Sequence, residues 1–119
     1  MIIIETRGKR VSIRKANTDD LREAAYMLLM LVPLGKTTTY KYLAEVLGVH
    51  PRVIARFMAL NDNPIVVPCH RVIMSDGRLG GYSLGGPEFK EKLLRLEGVK
   101  IVRGRIPREQ IIDFEDLLK

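Results

Sequence analysis

The sequence has no tryptophan, one cysteine and two histidines in 119 residues. One cysteine excludes an internal disulfide and agrees with a reducing compartment. Cys69 with His50 and His70 gives no recognisable zinc spacing, so no metal and no cofactor are expected. Long apolar runs are also missing, and nothing approaches the roughly 20 residues that span a bilayer. The opening stretch, MIIIETRGKR, lacks the basic segment that precedes the apolar run of a signal peptide. The expectation is an intracellular protein, cytoplasmic or, in a eukaryote, nuclear, with no membrane partner. Asparagine and glutamine are scarce beside isoleucine, valine and charged residues, a composition that leans toward a heat-loving source. Acidic residues are in deficit: 14 against 20 basic ones leaves a net charge of +6 and a sequence pI near 9.7. A polyanionic partner fits that balance, though many small intracellular domains are basic without binding nucleic acid.

The length suits one domain with one modest core, and no repeat, low-complexity tract or linker interrupts it. Residues 2–4 and 11–13 are β-prone and suggest a hairpin around ETRGKR. Asn17-Thr18-Asp19-Asp20 is a helix start, followed by Leu21, Ala24, Ala25, Leu28 and Val32 at helical spacing and stopped by Pro33 and Gly35. Thr37 to Thr39 can cap a second helix with Leu43, Ala44 and Leu47 inward and Gly48 at its end. Pro51 opens a third helix to about Leu60. Residues 65–67 suggest a short buried strand or extended segment. Pro87 opens a fourth helix through Glu97, with Phe89, Leu93 and Leu96 on its inner face and Gly98 ending it. Residues 99–102 suggest a short strand, and Pro107 a last helix to Leu118.

The second and third helices, joined by a short glycine-containing turn, carry the helix-turn-helix pattern. Ile54, Phe57 and Met58 share the face that meets the core. Arg52, Ala55, Arg56 and Ala59 share the other, small and cationic, which would let the helix backbone approach phosphates closely. An ordinary solvent-facing surface would look the same.

Three readings of Cys69 compete. It is a poor metal ligand. On the tripeptide Pro68-Cys69-His70 alone, a buried structural thiol is favoured, because free cysteine is among the most buried residue types. A nucleophile would need its thiolate form and a base, for which His70 is the candidate. Adjacent side chains in an extended segment point to opposite faces, so a direct bond between them would need a turn, or a bridging water in its place.

Several motifs together bear on the choice. PCHRVI with the downstream GGYS resembles the active-site region of the O6-alkylguanine-DNA alkyltransferases. GKTTTYKYLAEVLG resembles their Gly-x-x-x-x-Tyr-x-x-x-Ala helix, RVIARFMALNDNPIVVPCHRV their segment from wedging arginine to nucleophile, and KEKLLRLEG the helix holding their active-site glutamate. The resemblance covers about residues 21 to 100, nearly all of that family's C-terminal domain. It implies a mainly α fold with short β segments and a winged-helix-like helix-turn-helix. Residues 1–16 would be a hairpin or extension, and residues 17–119 the DNA-binding and active-site domain.

The resemblance also implies roles. Cys69 would accept the alkyl group, His70 would deprotonate it through a water, and Glu97 would orient His70. Asn61 would tie the helix-turn-helix to the active-site segment, and Tyr40 would donate to the departing guanine. Tyr82, Ser83, Met58 and Lys90 would form or flank the base pocket, with Ser83 bonding the guanine oxygen. Arg52 would fill the gap left by a flipped nucleotide, with Ala55, Arg56, Ala59 and Thr39 also at the DNA. Arg71 is assigned a structural place outside this scheme. The implied function is single-use transfer of an alkyl group from guanine O6 in double-stranded DNA, by a monomer, with a separate or fused repair partner left open.

Three features depart from the family's pattern. Its N-terminal α/β domain is absent or reduced to a hairpin. The turn GVHPR before Arg52 is short, and Arg56 stands where a small residue is common. Two rival readings are a non-catalytic alkyltransferase-like damage sensor and a plain helix-turn-helix regulator. The first class carries tryptophan at the nucleophile position, and the second leaves PCHRV unexplained. A thiol hydrolase lacks a readable oxyanion-hole motif.

Overall fold

The computed structural model describes residues 1–117. Strands β1 (Ile2–Arg7) and β2 (Arg10–Lys15) form an antiparallel hairpin closed at Arg7 and Arg10, longer than the β-prone runs suggest. Gly8, at φ 58°, takes the left-handed turn that such a short connection needs. One hairpin face, with Ile2, Ile4, Val11 and Ile13, is exposed. Arg14 roots the hairpin by reaching the Asp20 carboxylate. Asp20 also accepts from Asn17 N while Asn17 Oδ1 accepts from Asp20 N, the reciprocal cap that starts α1 (Thr18–Met30).

Helix α2 (Tyr40–Leu47) is capped by Thr39 Oγ1, which accepts from Tyr42 N at 3.0 Å, and ended by Gly48 in the left-handed region. Helix α3 (Pro51–Ala59) starts with proline in its first turn and with His50 Nδ1 accepting from Arg52 N. These local signals produce the expected helix-turn-helix. The Tyr26 hydroxyl donates to Phe57 O and fastens α1 across it. The main core gathers Ala25, Leu29, Val32, Leu43, Ala44, Ile54, Phe57, Met58 and Phe114. Each large side chain there adds about 1.5–3 kcal/mol of burial. On α1 it is Leu29, rather than Leu28, that is buried.

A second cluster holds Ile73, Leu94, Val99, Ile101 and Ile106. The segment from Cys69 to Ile73 bridges the two clusters, since Cys69 and Val72 belong to the first and Ile73 to the second. Strand β4 (Val72–Ile73) pairs in parallel with β3 (Thr38–Thr39), which fixes the segment beside the start of α2.

Four expectations need correction. Residues 65–67 are not a buried strand: Ile65 has φ 76°, and it and Val66 are exposed in a turn that Asn61 holds. Helix α4 (Gly86–Leu96) turns Lys90 and Leu94 inward, while Leu96 is 85% exposed and Phe89 lies near the surface. Lys90 is accommodated because Nζ donates to Val72 O at 2.6 Å and Gly81 O at 3.2 Å. Residues 99–102 form no regular strand and run into a tight turn at Arg103-Gly104, where Val102 and Arg105 exchange both backbone bonds. The single helix expected from Pro107 is instead a 3-10 turn (Arg108–Gln110) and α5 (Phe114–Leu117), and Leu118 lies outside the described residues. Gln110 clamps Lys100 through both its amide atoms, and Thr37 pairs with Gln110 and Ile112, so tertiary bonds displace the helix.

Candidate active site

Asn61, just past α3, reaches the segment that leads to Cys69. Its Nδ2 donates to Val67 O at 2.9 Å and its Oδ1 accepts from Asn63 N at 3.0 Å. The chain then tightens into a 3-10 turn (Cys69–Arg71), with Cys69 N on Val67 O and Arg71 N on Pro68 O. Cys69 is 4% exposed and His70 is fully buried.

His70 Nε2 lies 3.0 Å from Glu97 Oε1. Burial pushes the imidazole below its ordinary pKa, partly opposed by the bond to Glu97. The ring is therefore neutral at neutral pH. Its proton belongs on Nε2, where the carboxylate accepts it, which leaves the Nδ1 lone pair free. Nδ1 is buried with no protein partner. No direct hydrogen bond joins Cys69 to His70 among the described residues, which suits a relay through one water.

Glu97 is the C-cap of α4, in line with Lys90 and Leu94 on the inner face. Arg71 grips it with two bonds, Nε to Oε1 at 3.0 Å and Nη2 to Oε2 at 2.7 Å, and spends Nη1 on Val32 O at 2.9 Å. Burial works to raise the Glu97 pKa, but the bonds from Arg71 and His70 outweigh it and hold the carboxyl below its ordinary range. Arg71 thus keeps a structural place, but one that bears directly on Glu97. The sequence signal was its place directly after His70.

A pocket of about 340 Å³ opens beside Cys69, lined by Tyr40, Ala55, Met58, Ala59, Gly81, Tyr82 and Ser83. Burial, and the neighbouring Cys69, push the Tyr82 hydroxyl up to about 12. That hydroxyl is buried without a well-aligned partner, and the ring stacks on Phe89. Burial likewise raises the Tyr40 phenol, so both stay protonated and able to donate. Gly80, at φ 74°, sets the loop against Tyr40: a Cβ there would lie 3.8 Å from the tyrosine hydroxyl.

Two expected site residues are buried. Lys90 lies behind the pocket wall, fully buried, and burial lowers it to about 8. It pins Gly81 to β4 instead of lining the base pocket. Thr39 is 3% exposed with its hydroxyl committed to capping α2, and it reaches the surface on the wall of a cleft of about 500 Å³. Arg52, Ala55, Arg56 and Ala59 are exposed on the outer face of α3 as expected, and Arg52 lines a groove adjoining the pocket. Lys41 and Ser75 also line that groove.

Residues 20–99 match the family described as 6-O-methylguanine DNA methyltransferase, DNA binding domain. A methylated-DNA–protein-cysteine methyltransferase of Pyrobaculum aerophilum is 49% identical over 93% of this chain and 78% of its own. The solved O6-methylguanine-DNA methyltransferase of the hyperthermophilic archaeon Pyrococcus kodakaraensis superposes with a TM-score of 0.61 at 44% identity, over 66% of this chain and 46% of its own. Schizosaccharomyces pombe Atl1, solved with DNA containing O6-carboxymethylguanine, superposes with a TM-score of 0.73 over 82% of this chain and 98% of its own; at 24% identity this is a likeness of fold alone. The chain thus spans about half the length of the Pyrococcus enzyme and more of the Pyrobaculum one.

Proposed function

Because the chain belongs to the 6-O-methylguanine DNA methyltransferase family, we propose that it repairs O6-alkylated guanine in duplex DNA by moving the alkyl group to its own Cys69. The observation that carries this reading is the His70–Glu97 pair directly behind the one cysteine, whose pocket opens beside the small cationic face of α3.

The chemistry follows from the geometry. Neutral His70 takes the thiol proton on Nδ1 through one water, and Glu97 stabilises the imidazolium that forms. The Cys69 thiolate attacks the alkyl carbon, and the carbon–oxygen bond breaks with its electron pair leaving on guanine. Tyr40 donates a hydrogen bond to the departing ring and Ser83 one to its oxygen, both residues lining the same pocket. A thioether remains on Cys69. A thioether does not hydrolyse under mild conditions, so each molecule acts once.

The alkyl group is out of reach inside a duplex, so the nucleotide must turn out of the stack, at a cost of a few kcal/mol. The outer face of α3 lies in the minor groove. Its alanines allow close approach, and Arg52 fills the gap in the stack. A cysteine rather than a tryptophan at position 69 argues against the damage-sensor reading. The test is a duplex with one O6-methylguanine, incubated with substoichiometric protein. One lesion should vanish per protein molecule and none with Cys69→Ala, which should still bind. Binding with no loss of lesion from the wild type would make the protein a sensor.

A further inference from the structure

A trough leads away from the Cys69 pocket toward the C-terminal segment. The pocket shares Tyr40, Ala55 and Gly81 with the groove that holds Arg52. That groove shares Lys41 and Ser75 with a cleft of about 500 Å³, whose far wall adds Arg105 and Arg108. Both arginines are exposed, and both lie beyond residues 20–99, the span of the family match.

The segment bearing them is firmly held. Ile106 N donates to Gly77 O at 2.8 Å, and a Cβ on Gly77 would come within 3.0 Å of Ile106 O. Arg105 Nη1 donates to Asp76 O at 3.2 Å, and Thr37 fastens the residues that follow Arg108. Among the described residues Asp76 is the one carboxylate on the cleft wall, and Arg78 occupies it with both its backbone N and Nε. Lys41, Arg105 and Arg108 therefore leave the cleft positive, on a firmly held backbone and continuous with the reactive pocket. Cations beside such a trough match a phosphate backbone, which arginine forks bind without reading sequence.

We infer that this cleft seats backbone phosphates of the DNA whose damaged base occupies the Cys69 pocket, so that the C-terminal segment extends the footprint of α3. The inference rests on the alkyltransferase reading above. The mechanism makes no use of Arg105 or Arg108, so their removal should leave the chemistry intact.

The experiment measures affinity for a short duplex with one O6-methylguanine against salt concentration, each protein carrying Cys69→Ala so that the lesion persists, alongside the single-turnover rate with free O6-benzylguanine of the same proteins with Cys69 intact. Arg105→Gln with Arg108→Gln should flatten the slope of log affinity against log salt by about two units, and Arg108→Gln alone by about one. Free-base rates should stay at the wild-type value, which also shows that the variants fold. Arg22→Gln with Arg95→Gln removes the same charge away from the trough and should leave the slope unchanged. Slopes equal to wild type, or an equal loss in that control, would overturn the inference and leave the alkyltransferase reading standing. A wild type that neither reacts with the free base nor binds the duplex would overturn both.

Discussion

Arg71 and His70 converge on one oxygen: Arg71 Nε and His70 Nε2 each lie 3.0 Å from Glu97 Oε1. The arginine thereby fixes the carboxylate that in turn fixes the imidazole, and its Nη1 ties the whole unit to the end of α1 at Val32. If this chain of bonds produces the thiolate, His70→Ala and Glu97→Gln should each slow transfer to free O6-benzylguanine by orders of magnitude. The double variant should be little worse than either single one, because the two residues act as a unit. Single-turnover rates across pH, with circular dichroism as a folding check, measure this. A normally folded Glu97→Gln protein at the wild-type rate would remove Glu97 from the mechanism.

Arg71→Met should act through Glu97. Without its guanidinium partner the carboxyl rises back toward or above its ordinary pKa, so the acid limb of the rate profile should move to higher pH. The nearly buried pair makes a stability loss of about 3 kcal/mol the expected scale. In the wild type the His70 and Glu97 pKa values are both lowered on folding. The unfolded chain therefore binds protons first, and stability should fall as pH drops through about 6.5 and again below about 4.5. Urea unfolding across that range, compared with the variant, reads both effects.

The helix-turn-helix was legible because its signals are local: Thr39 as cap, Gly48 as stop, Pro51 as start. The meeting of His70 and Glu97 beside Cys69 was expected through motif resemblance, and the two do lie 3.0 Å apart. Other features were hidden by side-chain and tertiary bonds that appear only in the folded chain. Asn61 converts residues 65–67 into a turn, and Gln110 with Thr37 breaks the C-terminal helix. Lys90 was placed beside the base pocket by resemblance, and its burial was hidden because the carbonyls that receive it lie 18 and 9 residues away. The hold of Arg71 on Glu97 was missed for the same reason, its partner lying 26 residues on.

Lys90 carries a prediction of its own. Its pKa falls on folding from 10.5 to about 8, mainly through burial. Between those values the unfolded chain holds a proton that the native one lacks. Stability should therefore rise with pH across that window, by up to about 3 kcal/mol. Lys90→Met should abolish the rise and loosen the Gly81 loop. Chemical unfolding of both proteins at pH values from about 8 to about 10 tests it, and parallel curves would place the proton elsewhere.

Arg52 and Arg56 should separate by function. Arg56→Ala should weaken binding of all duplexes and flatten the salt slope by about one unit. Arg52→Ala should slow repair in duplex far more than reaction with free O6-benzylguanine. Equal losses on the two substrates would remove Arg52 from nucleotide flipping.

The central claim is that Cys69 itself receives the alkyl group, and the mass of the intact protein tests it most directly. After incubation with a duplex containing O6-methylguanine, the chain should gain the mass of one methyl in place of one hydrogen, mapped to the peptide holding Cys69. An unchanged mass while the lesion disappears, or a methyl group mapped to any other residue, would contradict the account.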